Sequence, residues 1–230
     1  LIGLNAAGNG QLPNFIGIRL DNASNNTIGG TQSGAANKIA FNGGRGVLVL
    51  SGTGNAIRGN SIFSNVELGI DLSGNGVNPN DPNDVDTGPN NLQNFPVLTS
   101  VSSIGSNTTI QGSLNSTPNT TFQIDFYTNS ALDPSGHGEG AQFFNTTSVT
   151  TDANGNATSF APDGTKFREE AVRLSDALEK GEFHAWIEAQ AIPFGVEIRE
   201  RDDRSAEQSV SDRQRHNSVI YSKRNISAAR

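Results

Sequence analysis

Between Gly17 and Leu72 the apolar positions recur in one short alternating phrase: glycine, a β-branched residue, a variable residue, an aliphatic residue. It is written as Gly17-Ile18-Arg19-Leu20, Gly46-Val47-Leu48-Val49 and Gly69-Ile70-Asp71-Leu72. Side chains along a strand alternate between faces. Ile18, Leu20, Val47, Val49, Ile70 and Leu72 are therefore expected to share an interior, with Arg19, Leu48 and Asp71 in an outer row. A second phrase, asparagine followed two positions later by isoleucine, falls at Asn26, Asn37, Asn55 and Asn60. The glycine phrases start 29 and then 23 residues apart, a period that predicts a solenoid. Strands this short leave no room for a crossover helix, which excludes βαβ units. Residues 1–75 are expected to form stacked coils paired in parallel, with corner glycines supplying positive φ. The asparagines at matching places, Asn26 over Asn55 and Asn37 over Asn60, either stack as amide ladders or serve only as turn residues.

The pattern then changes three times. Residues 76–94 have no period and concentrate Asn, Asp, Pro and Gly, which reads as a linker built of Asx turns with Pro79, Pro82 and Pro89. From 95 to 160, strand-like runs fall at 95–101, 108–114, 120–127 and 142–151. Phe122, Ile124 and Phe126 alternate onto one face, and Asn154-Gly155 carries a hairpin signal. Short strands at this spacing predict a small Ig-like β-sandwich. In 161–230 the predicted elements are a helix over 165–180, closed by Lys180 and Gly181, and a strand within 181–191. That strand would bring Phe183, Ala185 and Ile187 inward at an edge the sandwich lacks. From Arg199 onward the chain has little to bury and reads as disordered or loosely helical.

Composition reinforces this division. Residues 1–160 carry 4 basic and 10 acidic side chains, leaving 12 of the 16 basic and 13 of the 23 acidic ones to 161–230. So abrupt a change leaves open a native tail, a foreign fusion and a misread frame. The net charge of −7 argues against a nucleic-acid surface. The basic residues Arg213, Arg215, Lys223, Arg224 and Arg230 are diluted by acidic neighbours without an aromatic pattern. With no cysteine in the chain, disulfides and thiolate metal sites are excluded. No apolar run approaches the roughly 20 residues of a membrane-spanning helix. The chain opens in mid-pattern at Leu1-Ile2-Gly3-Leu4-Asn5, without initiator Met or signal peptide, and is expected to be a piece of something longer.

Chemistry is sparse. A glycosidase needs two carboxyl groups across a cleft. On the repeats only Glu67 and Asp71 are close in sequence, Asp71 facing outward and Glu67 at the preceding corner. A lyase would draw its base from Arg19, Lys38, Arg45 and Arg58. About two and a half coils make a short groove for a polymer, and scattered solvated charges are the competing account. Asp81, Asp84 and Asp86 offer oxygen ligands to calcium, although the spacing is not that of an EF-hand loop. The segment Asp133 to Glu139, with His137, reads either as a solvated loop or as a metal site. No other cofactor is implied.

Asn25-Asn26-Thr27-Ile28-Gly29-Gly30-Thr31 and Gly34-Ala35-Ala36-Asn37-Lys38-Ile39 resemble the right-handed parallel β-helix repeats of large exported bacterial proteins. Leu1 to Gly8 looks like the tail of a second phrase of that family. The stretch from Thr108 to Gly140 resembles a module that commonly follows such helices, with Leu132 where the family often has cysteine. The resemblance implies a secreted or cell-surface protein, adhesin-like, making weak contact with polysaccharide or another surface protein. The alternative is a fragment of a carbohydrate-active β-helix enzyme.

Overall fold

The computed structural model describes residues 1–104, 107–130, 133, 137, 139–160 and 183–187, all within the compact unit Leu1–Pro193. The described part is mainly β. Among the described residues the only helical pieces are 3₁₀ turns at Pro82–Asp84 and Pro89–Leu92, and no helix is long and apolar enough to cross a membrane.

Seven three-residue strands carry the repeats: β1 (Ile18–Leu20), β2 (Thr27–Gly29), β3 (Lys38–Ala40), β4 (Val47–Val49), β5 (Ala56–Arg58), β6 (Ser61–Phe63) and β7 (Ile70–Leu72). They pair only in parallel, as β1-β4-β7, β2-β5 and β3-β6. Ile18 lies beside Val47 and Val47 beside Ile70; Ile28 pairs with Ile57 and Ile39 with Ile62. The register matches equivalent residues of the sequence repeat, and Ile28, Ile39, Val47, Val49, Ile57 and Ile62 form one buried cluster with Ile18, Leu20, Ile70 and Leu72 against it. A one-residue slip would turn this whole set outward.

The phrase glycines serve close approach. A Cβ on Gly17 would strike the carbonyl oxygen of Gly46, and one on Gly46 would lie 2.6 Å from that of Gly69. The expected positive φ is found at Gly29 and Gly59, not at Gly17 or Gly46.

The outer row also departs from expectation. Arg19 is exposed, but Leu48 is only 5% and Asp71 1% exposed. Beyond β7 the chain turns back across this face, placing Gly74 against the Leu48 and Leu50 side chains. Gly74 and Gly76 donate backbone N–H bonds to Asp71.

The second half contains β8 (Val97–Ile104), β9 (Asn107–Asn115), β10 (Thr121–Thr128), β11 (Gln142–Thr150), β12 (Asn156–Phe160) and β13 (Phe183–Ile187). They form two antiparallel sheets, β12-β9-β8 and β11-β10-β13. Ile110, Leu114 and Ala157 of one sheet meet Phe122, Ile124 and Phe126 of the other in a single buried cluster. Strand β13 falls inside the predicted 181–191 span and pairs with β10, Ile187 beside Ile124. The Asn154-Gly155 turn is not a hairpin within one sheet: it carries the chain from β11 to β12, in the other sheet. Turn residues specify the reversal, whereas the partner is chosen by which strand edge is free. The helix predicted over 165–180 and the tail from Arg199 lie outside the described residues.

Candidate functional site

Asparagines repeat in register with the parallel strands, and the structure joins them into ladders. Asn26 donates both its backbone N–H and its Nδ2 to Asn55 Oδ1, at 3.1 and 2.9 Å. Asn37 does the same to Asn60 Oδ1, at 3.0 and 3.1 Å. A third ladder, absent from the sequence expectations, runs from Asn14 to Asn42 to Asn65 with the same pair of bonds at each step. Its spacing of 28 and 23 residues tracks the glycine phrases, and this was the available signal; an isoleucine two positions on marks only Asn14, not Asn42 or Asn65. Buried amides persist only when hydrogen-bonded, and here each level supplies the acceptor for the one before.

Two of the three ladders end on residues of the following segments. Asn55 donates its N–H and Nδ2 to Asn90 Oδ1, and Asn90 Nδ2 returns a bond to the Asn55 carbonyl. At the third ladder Asn65 donates Nδ2 to Glu139 Oε1 at 2.7 Å and its N–H to both carboxylate oxygens. Glu139 thus accepts from Asn65 as Asn65 accepts from Asn42. It is 4% exposed, so the expectation of a solvated loop is corrected at this residue, although His137 is exposed beside the Phe95 ring. Burial raises the Glu139 pKa to about 7, opposed by the Asn65 bonds and reinforced by the charge of Asp133.

A second polar clasp lies beside it. Arg58 reaches both oxygens of Asp125 on β10, at 2.7 and 3.3 Å, and Thr146 Oγ1 at 2.9 Å. Gly59 adds a backbone N–H to Asp125, and β6 contributes Ser61 Oγ to the Ala141 carbonyl and the Ile62 N–H to that of Gly140. The sequence did not single out Asp125, because it alternates away from Phe122, Ile124 and Phe126. Its 2% exposure, with Tyr127 also buried, reflects the end of the parallel stack covering the second face of β10. A cavity of about 10 Å³ between Ile57, Asn60, Ile62, Ile70, Tyr127 and Gly140 has room for about one water and none for a substrate.

Glu67 and Asp71 do come together, on Arg45. The guanidinium lies 2.7 Å from Glu67 and 2.9 Å from Asp71, and also reaches the Gly74 carbonyl. The bonds of Asp71, and then the charge of Glu67, push the Arg45 pKa up against burial. Asp71 is enclosed, with both oxygens engaged, whereas Glu67 is 42% exposed. The reading of these as scattered, solvated charges is corrected for Asp71. Arg19 pairs with Asp21 at the surface, and Lys38 sits over the Phe63 ring at 5.6 Å. Each of the lyase-base candidates therefore already faces an acid or an aromatic ring.

In the connecting segment, Asp81, Asp84 and Asp86 converge so that one oxygen of each lies within 4.8 Å of the others. Asp84 receives Asn94 N–H on one oxygen and Gln93 Nε2 and Ser116 Oγ on the other. Burial, and to a lesser degree the charge of Asp81, raises its pKa against these bonds. Asp86 is raised by burial and then by Asp81 and Asp84. Asn94 bonds Asp81 through both its amide and carbonyl groups, and also reaches the Asn115 carbonyl. The segment expected as a linker is bonded to both halves, to Asn55 through Asn90 and to Asn115 through Asn83 and Asn94.

Neither a scan against protein-family models nor a search of the curated proteins returns a match to this chain.

Proposed function

We propose that this chain is a structural and interaction segment of a secreted or cell-surface bacterial repeat protein. Residues 1–75 are the last coils of a short right-handed parallel β-helix, and 95–160 with 183–187 are an Ig-like β-sandwich seated on its end. Its work is spacing, with weak contact to a glycan or another surface protein along the exposed flanks. The observation that carries this reading is the consumption of polar groups inside the scaffold. The asparagines bond each other coil by coil, Arg45 binds Asp71 and Glu67, and Arg58 binds Asp125. Catalytic sites instead leave acids and bases facing a cleft, with their protonation tuned to the reaction. The wording of the repeats supports the cell-surface placement.

The competing reading is a carbohydrate-active β-helix enzyme using Glu67 and Asp71. Incubating the purified chain with neutral and acidic polysaccharides separates the two. The structural reading expects no new reducing ends and no unsaturated products. Turnover that disappears in a folded Glu67→Gln variant would overturn it; Asp71 is less suited to the test because its replacement disturbs the scaffold.

A further inference from the structure

Asparagine followed by glycine occurs four times in the chain, at Asn9, Asn42, Asn75 and Asn154. Without a Cβ the glycine leaves its backbone nitrogen open to close approach, and that nitrogen can attack the asparagine side-chain carbon. The structure closes three of the four sites. Asn42 is fully buried, and its amide is engaged with Asn14 and Asn65. Asn154 is exposed, but the following Gly155 is buried, donates its N–H to the Asp152 carbonyl and lies against Ser116 and Asn83. Asn9 is clamped to the Asn5 amide by two bonds, and Gly10 is packed against that same amide. Asn75 differs from all three. It is exposed and held by no hydrogen bond to a described residue, and the space beside Gly76, at φ +85°, is open. Gly76 donates its N–H to Asp71 Oδ2 at 3.2 Å, so the proton that must leave already faces a carboxylate.

We propose that Asn75–Gly76 is a self-modification site, at which the chain converts its own asparagine to aspartate and isoaspartate. The Gly76 nitrogen forms a bond to Asn75 Cγ, and its proton passes to Asp71. The Cγ–Nδ2 bond breaks, ammonia leaves with that proton, and a cyclic succinimide remains with Asp71 regenerated. Water then opens the ring at either carbonyl. An ordinary hydrogen bond on the attacking nitrogen hinders this step, whereas an acceptor that also takes up the proton assists it. The product adds a negative charge to the very turn whose N–H groups bind Asp71, and like charges repel. The isoaspartate form also lengthens that turn by a methylene. The site is therefore a slow, one-way switch on how firmly the outer row is covered.

The test follows the full chain at neutral pH and 37 °C by peptide mapping with mass spectrometry. Asn75 is expected to be converted first, with both acid forms resolved by chromatography. Asn9, Asn42 and Asn154 should react at least about tenfold more slowly, the factor that about 1.4 kcal/mol of hydrogen bonding to be broken puts on a rate. In urea the four rates should converge. There the rate at Asn75 should rise more steeply from pH 6 to pH 8 than in the folded chain, because hydroxide must replace Asp71. The aged protein should melt at a lower temperature than the fresh one. Asn75→Gln, whose longer side chain disfavours the ring, should leave residue 75 intact and abolish this ageing. An unconverted Asn75, or equal rates at the four sites in the folded chain, would overturn the proposal. Equal steepness with pH in the folded chain and in urea would overturn the role given to Asp71.

Discussion

The two halves of the described chain solve the same problem with opposite materials. The antiparallel half buries large side chains: Phe122 and Phe126 are fully enclosed with Ile110, Leu114 and Ile124 between its two sheets. The parallel half has no aromatic residue in its buried cluster and fills it with isoleucine and valine. It adds an organised polar layer instead, with Asn42, Asn55 and Asn60 essentially inaccessible to solvent. In one half stability comes mainly from apolar area removed from water. In the other it depends on each repeat offering the next a matching amide, so an error at one level removes hydrogen bonds from its neighbours. The halves meet across charge and amide groups beside a small apolar patch of Ile57, Ile62, Ile70 and Tyr127, and the sharpest tests remove one material at a time.

Truncating the antiparallel core is expected to have the largest effect. Phe126→Ala should cost about 3–5 kcal/mol by the combined loss of transfer energy and the cavity left behind, measured by chemical denaturation. Because Asp125, next along β10, clasps Arg58, the parallel half should unfold in the same transition. Two separated transitions would show that the clasp does not couple the halves.

The joint itself should respond to pH. Glu139 titrates at about 7 in the folded protein against 4.5 for the unfolded group. Between these values the folded state binds more protons, so stability falls as pH rises. Below about pH 4.5 the penalty is absent; above pH 7 it is complete and amounts to roughly 3 kcal/mol. Glu139→Gln keeps an oxygen for Asn65 and cannot ionise. Denaturation midpoints measured from pH 4 to 8 should show a smaller decline in this variant than in the parent. An identical decline in both would remove Glu139 as the titrating group.

These contrasts also separate what the sequence could specify. Period and register were readable at Ile18, Val47 and Ile70 because neighbouring strands repeat one phrase, and stacking like on like needs no information from elsewhere. The alternation of Phe122, Ile124 and Phe126 likewise revealed one buried face. Asp125, Glu139 and Asn90 were not readable as joint residues. Each acts only on a partner 35 to 74 residues away, outside any repeat, and nothing local distinguishes Glu139 from a loop acid. The burial of Leu48 and Asp71 escaped for a related reason: alternation tells which way a side chain points, not whether a later turn covers it. Asp81, Asp84 and Asp86 stood out by type and spacing, but the convergence of their oxygens required the turn at Pro82–Asp84.

The polar layer is tested next. Asn42→Ala deletes the acceptor for both Asn14 donors and the Nδ2 bond to Asn65, leaving Asn65 Oδ1 with the backbone N–H of residue 42 alone. Three hydrogen bonds lost at a buried side chain should cost about 2 kcal/mol. Asn26→Ala, at the exposed first level of its ladder, should cost clearly less, since water can serve Asn55 from that side. Equal losses at the two positions would contradict the view that burial gives the ladder its value.

The smallest effect is expected where the outer row does reach solvent. Arg19 binds only Asp21, at 2.8 Å, and both side chains are about half exposed. Such pairs contribute little, because water and salt screen the attraction and two long side chains must be ordered to make it. Arg19→Ala should therefore change stability by less than about 0.5 kcal/mol, and 0.5 M NaCl should erase even that difference. Arg45, which binds Asp71 of the same outer row, makes the comparison. Arg45→Ala strands the enclosed Asp71 carboxylate and should cost several times more, with little sensitivity to salt. If Arg19→Ala proved as costly as Arg45→Ala, the outer row would be uniform, and the covering of Asp71 by the turn through Gly74 would have no energetic consequence.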